Sequence, residues 1–563
     1  MVRKCLIVCA SPLLTTPEEQ LIRLLEARGY EVTVAATGRP AFEPNWAVRL
    51  TDRGESLLQR RLRNHTRPFP AAIPVPSDAA LLVLARELTP SLIVHFGAPD
   101  LAGQLAAVAD VLQVWLNRRP ETLRMESVAA ASGAAHELTV TRRRKDAPHE
   151  PRVVERSAIT SIHAWPALDR AAASTRALVL LLRAPDAPDG EPAAWQDAPV
   201  PSVRILAVFT GVVVRSIGQM LLRRWWRPDA WFLVYQSTMG PMGPMGQMGP
   251  MGSDPSSSVG SDLSSSVGSG LSSSVGSGLS SSVGSDLSPV GSDLRFPVGS
   301  DLRFLLGGPD RFLADPCAVA AGARSYVFCE EYPYRTARGV ISVSELQADG
   351  TLSQPKVVLD RPYHLSYPFV FEADGQWWMI PETSANRTVE LYRAAEFPWQ
   401  WELHRTLLDN VNATDATLLQ HEGRWWMFVT IGEQGSSTWD ELFIYYADRF
   451  DGPWHPHARN PVKRDNGSAR PAGRLFRTRA GLIRPAQDCS IVYGGGIRFM
   501  KIDRLTETEF DERELERLDP SVIDGAVALH TWSATPNLLV MDALLPWAPL
   551  SAERLHRKVR PKG

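Results

Sequence analysis

The sequence predicts two architectures: an α/β open, mostly parallel sheet, followed by an all-β five-bladed β-propeller. Three observations carry this. The first 190 residues alternate apolar strands with amphipathic helices, while everything beyond Arg311 reads as short strands. A hairpin pattern, HLSYPFVFEADGQWWMIPET from His364, returns as NATDATLLQHEGRWWMFVT from Asn412. Its Trp pairs, Trp377-Trp378 and Trp425-Trp426, lie 48 positions apart, each just after a turn glycine. Recurrence at about 50 residues points to propeller blades, since radial repetition protects sheet edges.

Bulk numbers narrow the field. The chain has 563 residues, too many for one domain, with 44% hydrophobic residues and a formal net charge of -2. That charge gives no general attraction to nucleic acid or anionic membranes. Five cysteines form neither a disulfide framework nor a metal-binding cluster and read as reduced thiols in a cytoplasmic chain. No transmembrane segment is expected: the apolar core from Ile205 to Val214 is about ten residues and stops at Arg215. A buried segment packing between domains is the simpler reading of it.

In chain order, Lys4 to Ala10 reads as a buried strand rather than a signal peptide, because a capped amphipathic helix follows it. That helix, Pro17 to Arg28, is apolar at Leu21, Ile22, Leu24 and Leu25, and Gly29 ends it. Strands follow at Glu31 to Ala35, Leu92 to Phe96 and Leu112 to Leu116, with a helix from Leu81 to Leu88. No glycine follows the first strand, so a dinucleotide loop is unsupported. Five units are expected: the α/β domain at 1–190, a connecting segment at 191–238, a Gly/Ser/Met-rich linker at 239–308, the propeller at 309–547 and a basic tail at 548–563. The linker repeats SSSVGSDL and related octapeptides, too poor in apolar residues to repay ordering. The strand AWFLVYQ, at Ala230 to Gln236, precedes it and is a candidate to close the propeller. Blade starts are expected at Asp315, Tyr367, Asp415, Arg470 and Asp524.

Two resemblances add to this. The order LIVHFG, VWLN, HELTVTRRR and RVVERSAI resembles a formyltransferase N-terminal domain, but the His-Pro-Ser motif of that family is absent. Asn117 is the one remnant, and without the histidine there is no general base for formyl transfer. Beyond residue 311, FLADPCAV, HLSYPFVFEADGQWWMIPETSANRTVELYRA, DGPWHPHARNPV, ARPAG and RPAQDC resemble the N-terminal region of glucosamine inositolphosphorylceramide transferases. That resemblance implies a propeller related to arabinanases, levansucrases and invertases. It implies a role for Asp315 as base or nucleophile and for Asp415 in tuning a pKa or holding the sugar. The fourth-blade glutamate that serves as acid in that group is replaced by Arg470, leaving Glu382 or Asp488 as substitutes.

His364, Arg470, Gln487 and His530 fall at or near blade starts, and Glu330 near the end of a strand, where they would line a central funnel and bind a sugar or phosphosugar. The Trp pairs read as packing, because alternation turns one of each into the sheet. No metal and no cofactor are expected. The expected function is a carbohydrate-active protein, a glycoside hydrolase or transglycosidase acting on a carbohydrate or glycoconjugate. The alternatives are a non-catalytic propeller binding glycan or protein, with the α/β domain docked on it, and, behind that, a sugar N-formyltransferase.

Overall fold

A computed structural model describes residues 2–9, 13–14, 16–37, 67–68, 72–96, 99–116, 119–121, 135–160, 166–193, 210, 226–237, 302–308, 310–490 and 492–549. Both predicted architectures are present. In the α/β domain, strands Arg3–Cys9, Tyr30–Ala36, Ile73–Pro74, Leu92–His95 and Asp110–Leu116 pair in parallel. The ribbon Ala135–Arg144 and Ala147–Thr160 extends the sheet antiparallel, so the sheet is mixed.

Alternate residues of these strands face opposite layers. Cys5, Ile7 and Val94 pack with helices α1 (Thr16–Ala27) and α4 (Pro166–Arg183). Leu6, Val8 and Ile93 pack with α2 (Asp78–Leu88) and α3 (Pro99–Leu105). The central strand segments 5–9, 34–36, 92–94 and 111–112 are therefore apolar on both faces, as a sheet covered on both sides requires. Asn117, which the formyltransferase resemblance singled out, and the segment 203–222, apart from residue 210, lie outside the described residues, as do 239–301 and 550–563.

The propeller has five blades, read directly from its sheets. Blades 1 to 4 begin on the strands Arg311–Ala321, Ser366–Ala373, Ala413–His421 and Phe476–Thr478. Blade 5 is built from both sides of the linker. Its inner strand Trp532–Thr535 pairs with Leu538–Pro549, which pairs with Trp226–Ser237, which pairs with Arg303–Leu305. The strand AWFLVYQ thus sits inside a blade. The expected linker end at 308 runs too far, because Leu302, Phe304 and Leu305 are closely spaced apolar residues that pack on the blade. The fifth start also lies later than Asp524, which occupies a turn before the inner strand.

The repeated hairpins use their tryptophans alike. Trp378 and Trp426 are buried, and their indole N–H groups donate to the carbonyls of Ala373 and His421 at 3.0 and 3.3 Å. Trp377 faces the other way and stacks on Phe397 at 4.3 Å. Both rings of the blade 2 pair therefore serve inter-blade packing.

Candidate active site in the propeller funnel

The inner strands of blades 1 to 3 share one irregularity. Asp315, Tyr367 and Asp415 have φ of 52°, 39° and 57°, each within a break in strand register. A bulge with one residue in the left-handed region re-aims a side chain. Here it brings together three side chains from three blades at the funnel floor. Such strain in non-glycine residues concentrates at functional sites.

Asp315 is buried and fully engaged. Its Oδ1 accepts from the Thr531 hydroxyl at 3.0 Å and its Oδ2 from the Tyr367 N–H at 3.2 Å. Its own N–H donates to Asp542 Oδ2 at 2.8 Å. His530 stands between these two acids, with Nδ1 2.5 Å from Asp542 and Nε2 3.7 Å from Asp315. Burial opposes the charge on His530, but the two carboxylates outweigh it and raise its pKa. Burial also pushes Asp315 up to about 6, with His530 pulling the other way and Asp415 adding to the rise.

Ligand atoms of Asp315, His530 and Asp542 lie within 4.8 Å of one another. At 2.5 Å, Nδ1 and Asp542 Oδ2 are in direct contact, with no room on the line between them for a cation, whose bonds are about 2.0–2.6 Å each. The other Asp542 oxygen already accepts the N–H groups of His530 and Thr531, both at 3.0 Å. The trio is a charge cluster in which His530 is in direct contact with Asp542 and stands 3.7 Å from Asp315.

Across the floor, Arg470 grips Asp415 through Nε at 2.5 Å and Nη2 at 3.2 Å. Gln487 donates to the same carboxylate at 3.0 Å and to the Pro471 carbonyl at 3.0 Å. Glu382 lies 3.8 Å from Arg470 and accepts from the Ser384 hydroxyl at 2.6 Å. Burial first, then Asp415 beside it, raise Glu382 to about 8 despite Arg470. Glu330 is raised too, by burial and then by the charge of Asp315. His364 pairs with it at 3.5 Å through Nε2, while its Nδ1 accepts the Gly339 N–H at 2.9 Å. Burial and Arg338 hold His364 below the usual imidazole range, so at neutral pH it is uncharged.

Eight of the nine expected site residues thus gather at the funnel. Asp488 differs. Its Oδ2 is held by Arg498 and Arg517 at 3.0 and 3.1 Å, and its Oδ1 caps the turn at Ser490. Two arginines and a backbone N–H tie it to blade 4, so its carboxylate is engaged there rather than with the other acids of the funnel.

Sequence reasoning missed Asp542, Thr531, Trp231, Tyr493 and the role of Tyr367. Trp231 stacks on His530 at 4.1 Å, and Tyr493 meets the same ring edge-on at 5.4 Å. Tyr493 also lies under the Arg470 guanidinium at 5.2 Å, and Trp439 flanks it at 5.5 Å. The Tyr367 hydroxyl accepts the Gly473 N–H at 2.7 Å and meets Thr417 at 2.9 Å, closing the channel below the acids. A cavity of about 10 Å³ remains there, lined by Asp315, Tyr367, Gly473 and Thr531, room for about one water. Near blade 1, Phe312 stacks on Tyr332 at 4.7 Å, and Tyr334 is more than a third exposed.

Residues 302–530 match the family described as glucosamine inositolphosphorylceramide transferase 1, N-terminal. The chain is 38% identical over 204 residues to glucosamine inositolphosphorylceramide transferase 1 of Oryza sativa subsp. japonica, covering 36% of this chain and 27% of that protein. It is 36% identical over 211 residues to the Arabidopsis thaliana protein of that name, with the same coverage. The chain therefore spans about a quarter of the length of these relatives. The resemblance read from the motifs is borne out, and the α/β domain lies before the matched residues. Among solved structures, the chain is similar to Zg3597, a family 117 glycoside hydrolase produced by the marine bacterium Zobellia galactanivorans. There the TM-score is 0.31 at 13% identity, covering 44% of this chain and 87% of that one. It is also similar to 1,3Gal43A, an exo-beta-1,3-galactanase from Clostridium thermocellum. That match has a TM-score of 0.31 at 12% identity, over 37% and 51% of the two chains. The blade count rests on the sheets themselves.

Proposed function

We propose that the funnel binds a glycoside and cleaves its glycosidic bond, passing the glycosyl group to water or to a hydroxyl acceptor. The observation that carries this is a pair of carboxyl groups set apart across neutral pH, Asp315 at about 6 and Glu382 at about 8. Glycoside chemistry needs one carboxyl protonated and one ionised at the same pH. Glu382 is the acid: its proton goes to the leaving oxygen as the glycosidic C–O bond breaks. Asp315 is the base or nucleophile, with Thr531 and the Tyr367 N–H orienting its oxygens. Arg470 and Gln487 hold the Asp415 carboxylate in place beside Glu382, whose own burial comes first in raising its pKa. The half-buried rings of Trp231, Tyr493 and Trp439 offer apolar faces to a sugar. The transferase name of the matched relatives supports a glycan substrate.

One observation favours a second reading, glycan binding without cleavage. Both Asp315 oxygens already accept hydrogen bonds, as they would in a purely structural acid. The two readings separate in one experiment: sugar release from a glycoside panel by the full chain and by Asp315→Asn. Asparagine tolerates the left-handed backbone at φ 52°, so the fold is kept. Release slowed by about 10²–10⁴-fold in the variant is expected for a lost catalytic base. Binding of a panel member with no release from either protein would establish the second reading.

A further inference from the structure

The α/β domain rests on the propeller through buried charge, and the contact lies on a loop that reaches the funnel. Arg176 of α4 is fully buried. Its Nη2 donates to the Ser437 carbonyl at 2.9 Å and to Asp440 at 2.5 Å, and its Nη1 to Glu441. Arg183, two turns along the same helix, pairs with Glu441 at 2.6 Å and with Glu433 at 2.8 Å. Arg464 of blade 3 completes the network, 2.8 Å from Glu155 of the α/β sheet and 3.5 Å from Glu441.

One helix therefore clamps both ends of the 432–440 loop of blade 3. Between the clamps stands Trp439, whose N–H donates to Ser437 Oγ at 3.1 Å. Its ring meets Tyr493, and Tyr493 in turn touches Arg470 and His530. Burying an arginine with two carboxylates yields little net stability, because desolvation consumes most of the attraction. What such an arrangement yields is fixed geometry, here at a loop whose inner side is a funnel wall.

We propose that the α/β domain is a working part of the propeller site: α4 sets the Trp439–Tyr493 wall against which the sugar ring lies. The sugar rests on the reading given above, whereas the coupling from α4 to Tyr493 stands without it. The coupling is tested by hydrogen exchange on the full chain, comparing wild type with Arg176→Met and Trp439→Ala. Arg176→Met is expected to speed exchange roughly threefold to tenfold in both the 432–440 and 488–496 peptides. Trp439→Ala is expected to speed exchange in 488–496 while α4, over 172–183, keeps the wild-type rate. Faster exchange confined to 432–440 in the first variant, or an unchanged 488–496 peptide in the second, would overturn the coupling. If Arg176→Met does not fold, Arg183→Met takes its place as the α4 variant, with the same expected and overturning results. Weakened glycan binding in both variants, at unchanged overall stability, supports the sugar assignment. If the exchange coupling holds and no panel glycan binds, the ligand assignment falls and the coupling stands.

Discussion

Gly473→Ala is expected to yield no stable propeller. A Cβ at this position would lie 2.0 Å from the Trp532 carbonyl oxygen, and the backbone φ is 130°. Neither fault has a side-chain remedy, because the obstruction is backbone and the dihedral is one that L side chains rarely adopt. The residue also stands where three blades meet. Its N–H donates to Tyr367 from blade 2, and the neighbouring Ala472 carbonyl accepts the Trp532 N–H of blade 5 at 2.8 Å. A loss above about 4 kcal/mol is expected, in the range reserved for backbone faults that cannot relax. Soluble yield and urea unfolding check this, and a variant that unfolds at the wild-type midpoint would contradict the strand contact. The final glycine of the ARPAG motif is thus a structural necessity, while its arginine belongs to the site.

Arg470→Met is the second large effect. It leaves Asp415 buried at 1% exposure with its main cation gone and Glu382 beside it. Removing one partner of a buried pair costs about 3–5 kcal/mol, since the remaining charge stays desolvated. The double variant Arg470→Met, Asp415→Leu should recover most of that loss, because no unpaired charge remains. Chemical denaturation of the wild type, both single variants and the double variant measures the interaction. Purely additive losses would show that Arg470 and Asp415 do not depend on each other.

Much of this fold was legible because it is periodic. The Trp-pair hairpins, the turn glycines and the blade starts at Asp315, Tyr367 and Asp415 repeat at blade length, and local pattern sufficed, whereas the first strand of blade 4 begins at Phe476, after Arg470. Asp524 misled because blade 5 is assembled from distant segments, so its inner strand has no full repeat preceding it. Phe304 and Leu305 were hidden inside a repetitive stretch whose composition says linker, although three residues of it complete a sheet. In the site, position within the blade led to Asp315, Asp415 and His530 because each opens or adjoins an inner strand. Asp542 lies in the strand after, and Trp231 more than 60 residues before the propeller motifs begin. Only the closure of blade 5 places them beside His530. Asp488 had a favourable address, but its two arginines come from neighbouring strands that no spacing rule connects to it. Tyr367 was read from the sequence only as a blade start. Its left-handed backbone, visible only in three dimensions, turns it across the channel.

The central claim is that Glu382 holds a proton at neutral pH beside Asp415 and Arg470, and its stability signature needs no substrate. In the folded chain its pKa rises from the ordinary 4.5 to about 8. A carboxyl raised on folding favours the folded state fully below its unfolded pKa. That contribution declines as pH climbs towards the folded value and past it. Between pH 7 and pH 9 the wild type should lose about 1.4 kcal/mol of stability relative to Glu382→Gln, whose amide does not titrate. Urea unfolding of both proteins at pH 6, 7, 8 and 9 measures that difference. A stability difference that shifts in favour of the glutamine variant from pH 6 to pH 8 and levels off towards pH 9 is the predicted result. Curves that stay parallel across the whole range would mean that Glu382 is already ionised at pH 7, and the funnel would then lack the acid assigned to it.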